Sequence, residues 1–185
     1  MCLHAERIAM KQKTEILLCE SFIELLKKYP FPKITIQMIA SRSGVNRQTF
    51  YYHFDNVYDL MGKAFEYEFI KKVSFDENLP WTQCMKMLLR WMKDNRVIIK
   101  NIISNVDGYY LREAIYPIIE RCMARAYDSN VFAVDEGNRV DEEFIQKFMT
   151  LGITQYTLEW IENNYKETEA DIVDHIFLIL RRMYG

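Results

Sequence analysis

The sequence predicts an all-α fold. Apolar residues recur at helical spacing along almost the whole chain, and strand-like alternation bounded by turn residues is nearly absent. Only 6 Gly and 4 Pro occur in 185 residues, and several of them stand where a helical stripe has to end. The fold expected is an N-terminal three-helix unit with a helix-turn-helix corner, followed by a larger helical region.

The first helix is expected over Ile8–Tyr29, with Leu18, Phe22, Leu25 and Tyr29 as one apolar stripe. Pro30 and Pro32 end it. Thr35 caps a short helix, Ile36–Ser43, with Ile39 and Ala40 turned inward. Gly44 suits the left-handed stop, and Val45 follows as an apolar plug. Asn46 caps a third helix, Arg47–Phe54, and Asp55 or Asn56 caps a fourth that reaches about Val73. Ser74–Pro80 reads as a connection to the second region.

Beyond it, Trp81–Lys93 and Val97–Val106 are helical, with a bend near Asp94 and Asn95, and Gly108 marks another joint. Leu111–Asp128 is helical, with Pro117 kinking it or ending a piece of it. Ser129–Val140 reads as a loop. Asp141, Glu142 and Glu143 favour a helix start through the macrodipole, and that helix runs to about Asn163. Thr168, Glu169, Ala170 and Asp171 resemble a capping box for a last helix ending at Arg181 and Arg182.

These two final helices carry apolar residues around much of their circumference. Phe144, Phe148, Leu151 and Leu158 form one stripe of the first, beside Ile145, Met149, Ile153, Tyr156 and Trp160. In the last, Ile172, Ile176, Ile179 and Met183 lie beside Val173, Phe177 and Leu180. A wide apolar face implies burial on more than one side. The expectation is a helix pair that packs on a second copy of itself, with Phe148, Gly152, Tyr156, Trp160, Ile176 and Leu180 at a four-helix dimer interface.

Composition narrows the function classes. Half of the residues are apolar and 27% are charged, the balance of a soluble globular protein. No apolar run reaches the roughly 18 residues that would cross a bilayer, and the first residues lack a signal-peptide core. The expectation is a cytoplasmic protein with no membrane partner. Cys2, Cys19, Cys84 and Cys122 form no Cys-x-x-Cys pair and sit near no histidine at ligand spacing, so they read as reduced thiols packed as small apolar groups. The net charge of −2 is unevenly placed: residues 1–73 carry 11 basic against 8 acidic side chains, and residues 74–185 carry 13 against 18. No phosphate-binding glycine loop, Ser/His/Asp arrangement or His-Glu metal helix is visible, so no enzyme, cofactor or metal is expected.

Residues 35–54 carry the functional signal. Two short helices flank a tight turn at Gly44, and the spacing lets Ile39 and Ala40 pack against Val45 and Phe50. On a helical wheel Phe50 and Phe54 share the core face. Arg47, Gln48, Thr49, Tyr51, Tyr52 and His53 point away or to the flank. Arg can fork onto guanine, Gln can pair with adenine, and a Thr methyl can touch a thymine methyl. Tyr51 and His53 can donate to phosphates, and Arg42 adds local charge.

The string Ile39-Ala40, Ser43-Gly44-Val45, Thr49-Phe50-Tyr51, His53-Phe54 and Leu60 resembles the DNA-binding domain of the TetR family of transcription regulators. The resemblance covers residues 8–70 and implies that residues 74–185 form a regulatory and dimerising domain. It implies that Asn46, Arg47, Gln48 and Thr49 read bases, and that Thr35, Tyr51, Tyr52 and His53 position the DNA backbone. The wording from Val45 to Phe54, with Tyr58-Asp59-Leu60, is more similar to the branch that includes the dihydroxyacetone kinase operon activator. One position departs from the family: a lysine usually reaches phosphate from the start of the fourth helix. Here Asn56, Val57, Tyr58 and Asp59 stand there, and Asn56 or Tyr58 would have to substitute.

The resemblance implies a homodimer on a palindromic double-stranded DNA operator, with a repressor as the commoner role. A small-molecule effector or protein co-regulator would act on the second region, where Trp91, Tyr109, Tyr110 and Met123 are the candidate effector-binding residues. The alternative is a helical adaptor that binds a protein partner and has lost DNA binding.

Overall fold

The computed structural model describes residues 2–72, 79–128 and 142–184. Every regular element among them is helical: α1 (Cys2–Leu26), α2 (Ile36–Ser43), α3 (Arg47–His53), α4 (Val57–Lys72), α5 (Trp81–Asp94), α6 (Arg96–Ile103), α7 (Gly108–Asp128), α8 (Glu142–Glu162) and α9 (Glu169–Tyr184), with a short 3-10 turn at Phe31–Lys33. Most of the expected connection at Ser74–Pro80, and all of the loop at Ser129–Val140, lie outside the described residues.

The chain divides into two compact units, residues 1–68 with 96–114, and residues 69–95 with 115–185. The division therefore does not follow a single cut in the sequence: α6 and the start of α7 fold with the N-terminal helices. Asn101 of α6 shows why. Its amide nitrogen donates to the carbonyls of Leu26 at 2.9 Å and Tyr29 at 2.8 Å, and its oxygen accepts from the Phe31 N–H at 2.9 Å. One side chain thus satisfies orphan groups where α1 ends and the next turn begins. Tyr110, in the first turn of α7, stacks on Tyr58 of α4 with ring centroids 4.0 Å apart, and Tyr58 in turn meets Phe31. Gly62 of α4 lies against Ala114 of α7, where an added Cβ would come 3.7 Å from the Ala114 Cα.

The core of this first unit is built from Leu18, Phe22 and Leu26 of α1, Ile39 and Ala40 of α2, Phe50 of α3, and Leu60, Met61 and Phe65 of α4. Tyr29 departs from its expected place. α1 ends at Leu26, and Tyr29 is 43% exposed. The residue before a proline is disfavoured in helical backbone, so Pro30 ends the helix earlier than the apolar spacing suggests.

The second unit draws its core from Trp81, Met85, Leu88 and Met92 of α5, Ile115, Ile119 and Met123 of α7, Ile153 and Trp160 of α8, and Ile172, Val173 and Leu180 of α9. α5 packs along α9, with ion pairs Lys86–Asp174 at 3.4 Å and Lys93–Glu169 at 3.4 Å on its flank. α7 continues through Pro117 instead of ending there. Pro117 and Glu113, whose carbonyl loses its usual donor, are both exposed, so water can serve that carbonyl. α8 ends in a corner where Asn164 and Tyr165 both take positive φ, 61° and 57°. The Tyr165 N–H returns to the Trp160 carbonyl at 2.9 Å, and the two rings meet edge to face at 4.7 Å. Thr168 then caps α9: its hydroxyl accepts from the Asp171 N–H at 3.1 Å and donates to the Asp171 carboxylate at 2.7 Å.

Candidate nucleic-acid interface

The helix-turn-helix corner is set by three short-range devices. Thr35 Oγ1 accepts from the Met38 N–H at 3.2 Å and starts α2. Gly44 ends it in the left-handed region at φ 71°, and the Val45 N–H returns to the Ala40 carbonyl at 3.0 Å. Asn46 starts α3, its side-chain oxygen accepting from the Thr49 N–H at 2.7 Å and the Thr49 hydroxyl at 3.0 Å. Phe50 is fully buried and anchors α3 to the core.

With Phe50 inward, the other side of α3 is exposed. Arg47 and Gln48 are exposed at its first turn, and Tyr51 and Tyr52 are 50% and 65% exposed along it. Such large exposed aromatic rings on a polar face suit contact with another molecule. Thr35 and Arg42 are exposed on the neighbouring helix, where Arg42 forms a long 3.9 Å ion pair to Glu24. Asn46 spends its side-chain oxygen on capping, which leaves its amide nitrogen outside the cap. Thr49 is half-buried, and its hydroxyl donates to the Asn46 side-chain oxygen at 3.0 Å.

Two expected backbone contacts look different in place. The His53 side chain is only 4% exposed, and its Nδ1 lies 3.3 Å from Glu15 Oε1 on α1. It ties α3 to α1 instead of standing free on the flank. Asn56 uses its side-chain oxygen to cap α4, accepting from the Tyr58 and Asp59 N–H groups at 2.8 and 3.0 Å. Asn56 as a residue is exposed, whereas Tyr58 is held between Phe31 and Tyr110.

One residue the sequence reading passed over joins this face. Lys11 of α1 sits with its ammonium 5.7 Å from the Tyr52 ring centroid. It brings a positive charge to the edge of α3 from a helix about 40 residues earlier, a pairing that spacing within the motif could not reveal.

The four effector candidates divide between the two units. Trp91 and Met123 are buried in the second unit, whereas Tyr109 and Tyr110 are exposed in the first, where Tyr110 stacks on Tyr58. Trp91 alone lines a groove of about 490 Å³ between α5 and the start of α9, with Lys86, Met87, Arg90, Asp94, Glu169 and Ala170.

The six residues assigned to a dimer interface also separate. Phe148, Gly152 and Tyr156 lie on an exposed face of α8, with Phe148 61% exposed and stacked on Phe144. Tyr156 donates its hydroxyl to the Glu167 carboxylate at 2.7 Å, and that bond pushes its phenol above the usual range. Trp160, Ile176 and Leu180 are instead buried within this chain, and the Trp160 indole N–H donates to the Glu167 carbonyl at 3.0 Å. Among the described residues of α9, the exposed large apolar ones are Phe177, Leu178 and Ile179.

Comparison with known proteins gives the same architecture. Residues 80–182 match the family described as "Transcriptional regulator C-terminal region", and residues 23–63 match "Bacterial regulatory proteins, tetR family". The HTH-type dhaKLM operon transcriptional activator DhaS of Lactococcus lactis subsp. lactis (strain IL1403) is 24% identical over 102 residues. That match covers 53% of this chain and 54% of the relative, so the chain spans about half the length of the curated relative it matches. Among solved structures, the dihydroxyacetone kinase operon activator DhaS superposes with a TM-score of 0.62 at 20% identity, covering 92% of this chain and 96% of that one. A TetR transcriptional regulator from Streptococcus agalactiae 2603V gives 0.60 at 20% identity over 97% and 99%. FadR of Thermus thermophilus, solved with lauroyl-CoA, gives 0.55 at 14% identity over 90% and 92%. With a family match over more than half of its length and the helix-turn-helix corner described above, the chain belongs to the TetR family of transcription regulators, which are non-enzymatic DNA-binding proteins.

Proposed function

We propose that this chain is a homodimeric repressor that reads a roughly palindromic operator and is modulated at its second unit by a small-molecule effector or a protein partner. The observation that carries the reading is the outward side of α3. Arg47, Gln48, Tyr51 and Tyr52 are exposed on a helix whose opposite side is locked by fully buried Phe50. Arg47, Gln48, Thr49 and the amide of Asn46 read base edges. Thr35, Arg42, Tyr51, Tyr52 and Asn56 position the phosphates, and Lys11 takes the place of the lysine missing after the motif. His53 acts through Glu15, holding α3 on α1.

The dimer forms through the exposed residues Phe144, Phe148, Leu151, Phe177, Leu178 and Ile179, with Gly152 and Tyr156 on the same helix as the first three. α8 and α9 each expose several large apolar side chains, and joined in one surface they would make a patch that monomeric proteins rarely leave uncovered. A two-fold pairing would present two copies of α3 to half-sites about one DNA turn, or a multiple, apart. The relative named an operon activator shows that the sign of regulation can differ within this likeness. Repression is the reading adopted, as the commoner role in the family.

Selection of genomic DNA fragments by the purified protein, followed by sequencing, tests the proposal. A recovered inverted repeat with half-site centres near one turn or a multiple supports it. Fragments without any shared motif would sink it and favour the adaptor reading.

A further inference from the structure

Cys84 of α5 and Cys122 of α7 lie 38 positions apart in the sequence, yet their sulfurs are 3.0 Å apart in the core of the second unit. Both side chains are fully buried, and the two share an S–H···S hydrogen bond. A disulfide needs a sulfur separation of about 2.05 Å, so an approach of about 1 Å would close the bond. We infer that Cys84 and Cys122 form a reversible dithiol–disulfide couple that staples α5 to α7 when the protein meets a peroxide.

The surroundings divide the roles. The hydrogen bond from the Cys122 thiol lowers the Cys84 pKa below the ordinary thiol range, with a smaller contribution from Arg125 on the same helix as Cys122. Cys122 is held as a thiol, since its bond to Cys84 and its burial both disfavour its charge. Cys84 is therefore the attacking sulfur. Its thiolate takes one oxygen from hydrogen peroxide, the O–O bond breaks, and the departing hydroxide is protonated to water. The sulfenic acid so formed is attacked by the Cys122 sulfur, which gives up its proton as the second hydroxide leaves as water. Two thiols and one peroxide give one disulfide and two waters. Hydrogen peroxide is close to water in size, and local opening of the helices admits it. Cys19 offers a built-in contrast: burial in the first unit pushes its thiol up to about 12, and no other described cysteine adjoins it.

The test uses the full chain, freshly reduced, treated with hydrogen peroxide under native conditions, then alkylated and digested without reductant for mass spectrometry. The expected result is a cross-linked peptide pair joining Cys84 to Cys122 that dithiothreitol reverses, with Cys19 still alkylatable after unfolding. The rate should rise with pH and reach half its plateau below the ordinary thiol range, because the thiolate is the reacting form. In Cys122→Ala, checked for helicity by circular dichroism, oxidation of Cys84 should slow, because the hydrogen bond that lowers its pKa is gone, and what reacts should stop at a sulfenic acid that a dimedone probe traps. Cys84→Ser should abolish peroxide consumption at Cys122. Recovery of both thiols unreacted would overturn the inference. So would oxidation of Cys84 beyond sulfenic acid without cross-linking in the unmutated protein.

Discussion

Replacing Asn101 by Ala should weaken the DNA-binding unit although residue 101 lies well outside the helix-turn-helix sequence. The substitution removes two bonds to carbonyls at the end of α1 and leaves the Phe31 N–H without its acceptor. A hydrogen bond contributes about 0.5–1.5 kcal/mol net, and a stranded buried group costs about 1–3 kcal/mol. The bond to Tyr29 is exposed, so water replaces it cheaply, while the other two are part-buried. The expected loss is about 2–3 kcal/mol, read as a lower urea midpoint at unchanged slope. Asn101→Asp is the sharper variant. It keeps the acceptor for Phe31 but aims a carboxylate at two carbonyl oxygens, so it should be no better than Ala. A loss below about 0.5 kcal/mol for both variants would refute the claim that α6 is structurally part of the first unit.

Other perturbations separate the remaining roles. Arg47→Ala or Gln48→Ala should relax preference at one operator position, costing about 1–3 kcal/mol there, whereas Tyr51→Phe should weaken all sequences alike in competition titrations. Lys11→Ala should leave base preference intact and make the salt dependence of binding shallower by about 0.9 in the log–log slope. Phe148→Glu should yield monomers in sedimentation, while Trp160→Ala should lower stability by about 3–5 kcal/mol in denaturation, because Trp160 is spent inside the chain. Gly44→Ala should cost about 1 kcal/mol from backbone strain alone, since φ is 71° and nothing lies within 4 Å of the added Cβ.

The helix-turn-helix corner was legible because everything that builds it lies within 20 residues. The caps at Thr35 and Asn46, the left-handed stop at Gly44 and the buried ring of Phe50 are local chemistry, and each is found where the sequence puts it. Long-range pairings were not legible. Nothing in the spacing tells that His53 turns toward Glu15, that Asn101 closes the end of α1, or that Tyr110 stacks on Tyr58. The two final helices show the limit of periodicity most clearly. Two adjacent stripes are evident in α8, but only packing decides that Met149, Ile153 and Trp160 face the core while Phe144, Phe148 and Leu151 stay exposed. The same ambiguity placed Ile176 and Leu180 at an interface, although their own chain buries them.

The central claim is sequence-specific DNA binding by the exposed side of α3. Fluorescence anisotropy of the purified protein on DNA from upstream of its own gene, against a scrambled duplex and across a salt series, tests it most directly. The account predicts tight, salt-sensitive binding that prefers the upstream DNA, with that preference reduced in Arg47→Ala. Absence of binding to either duplex, even at low salt, would contradict it.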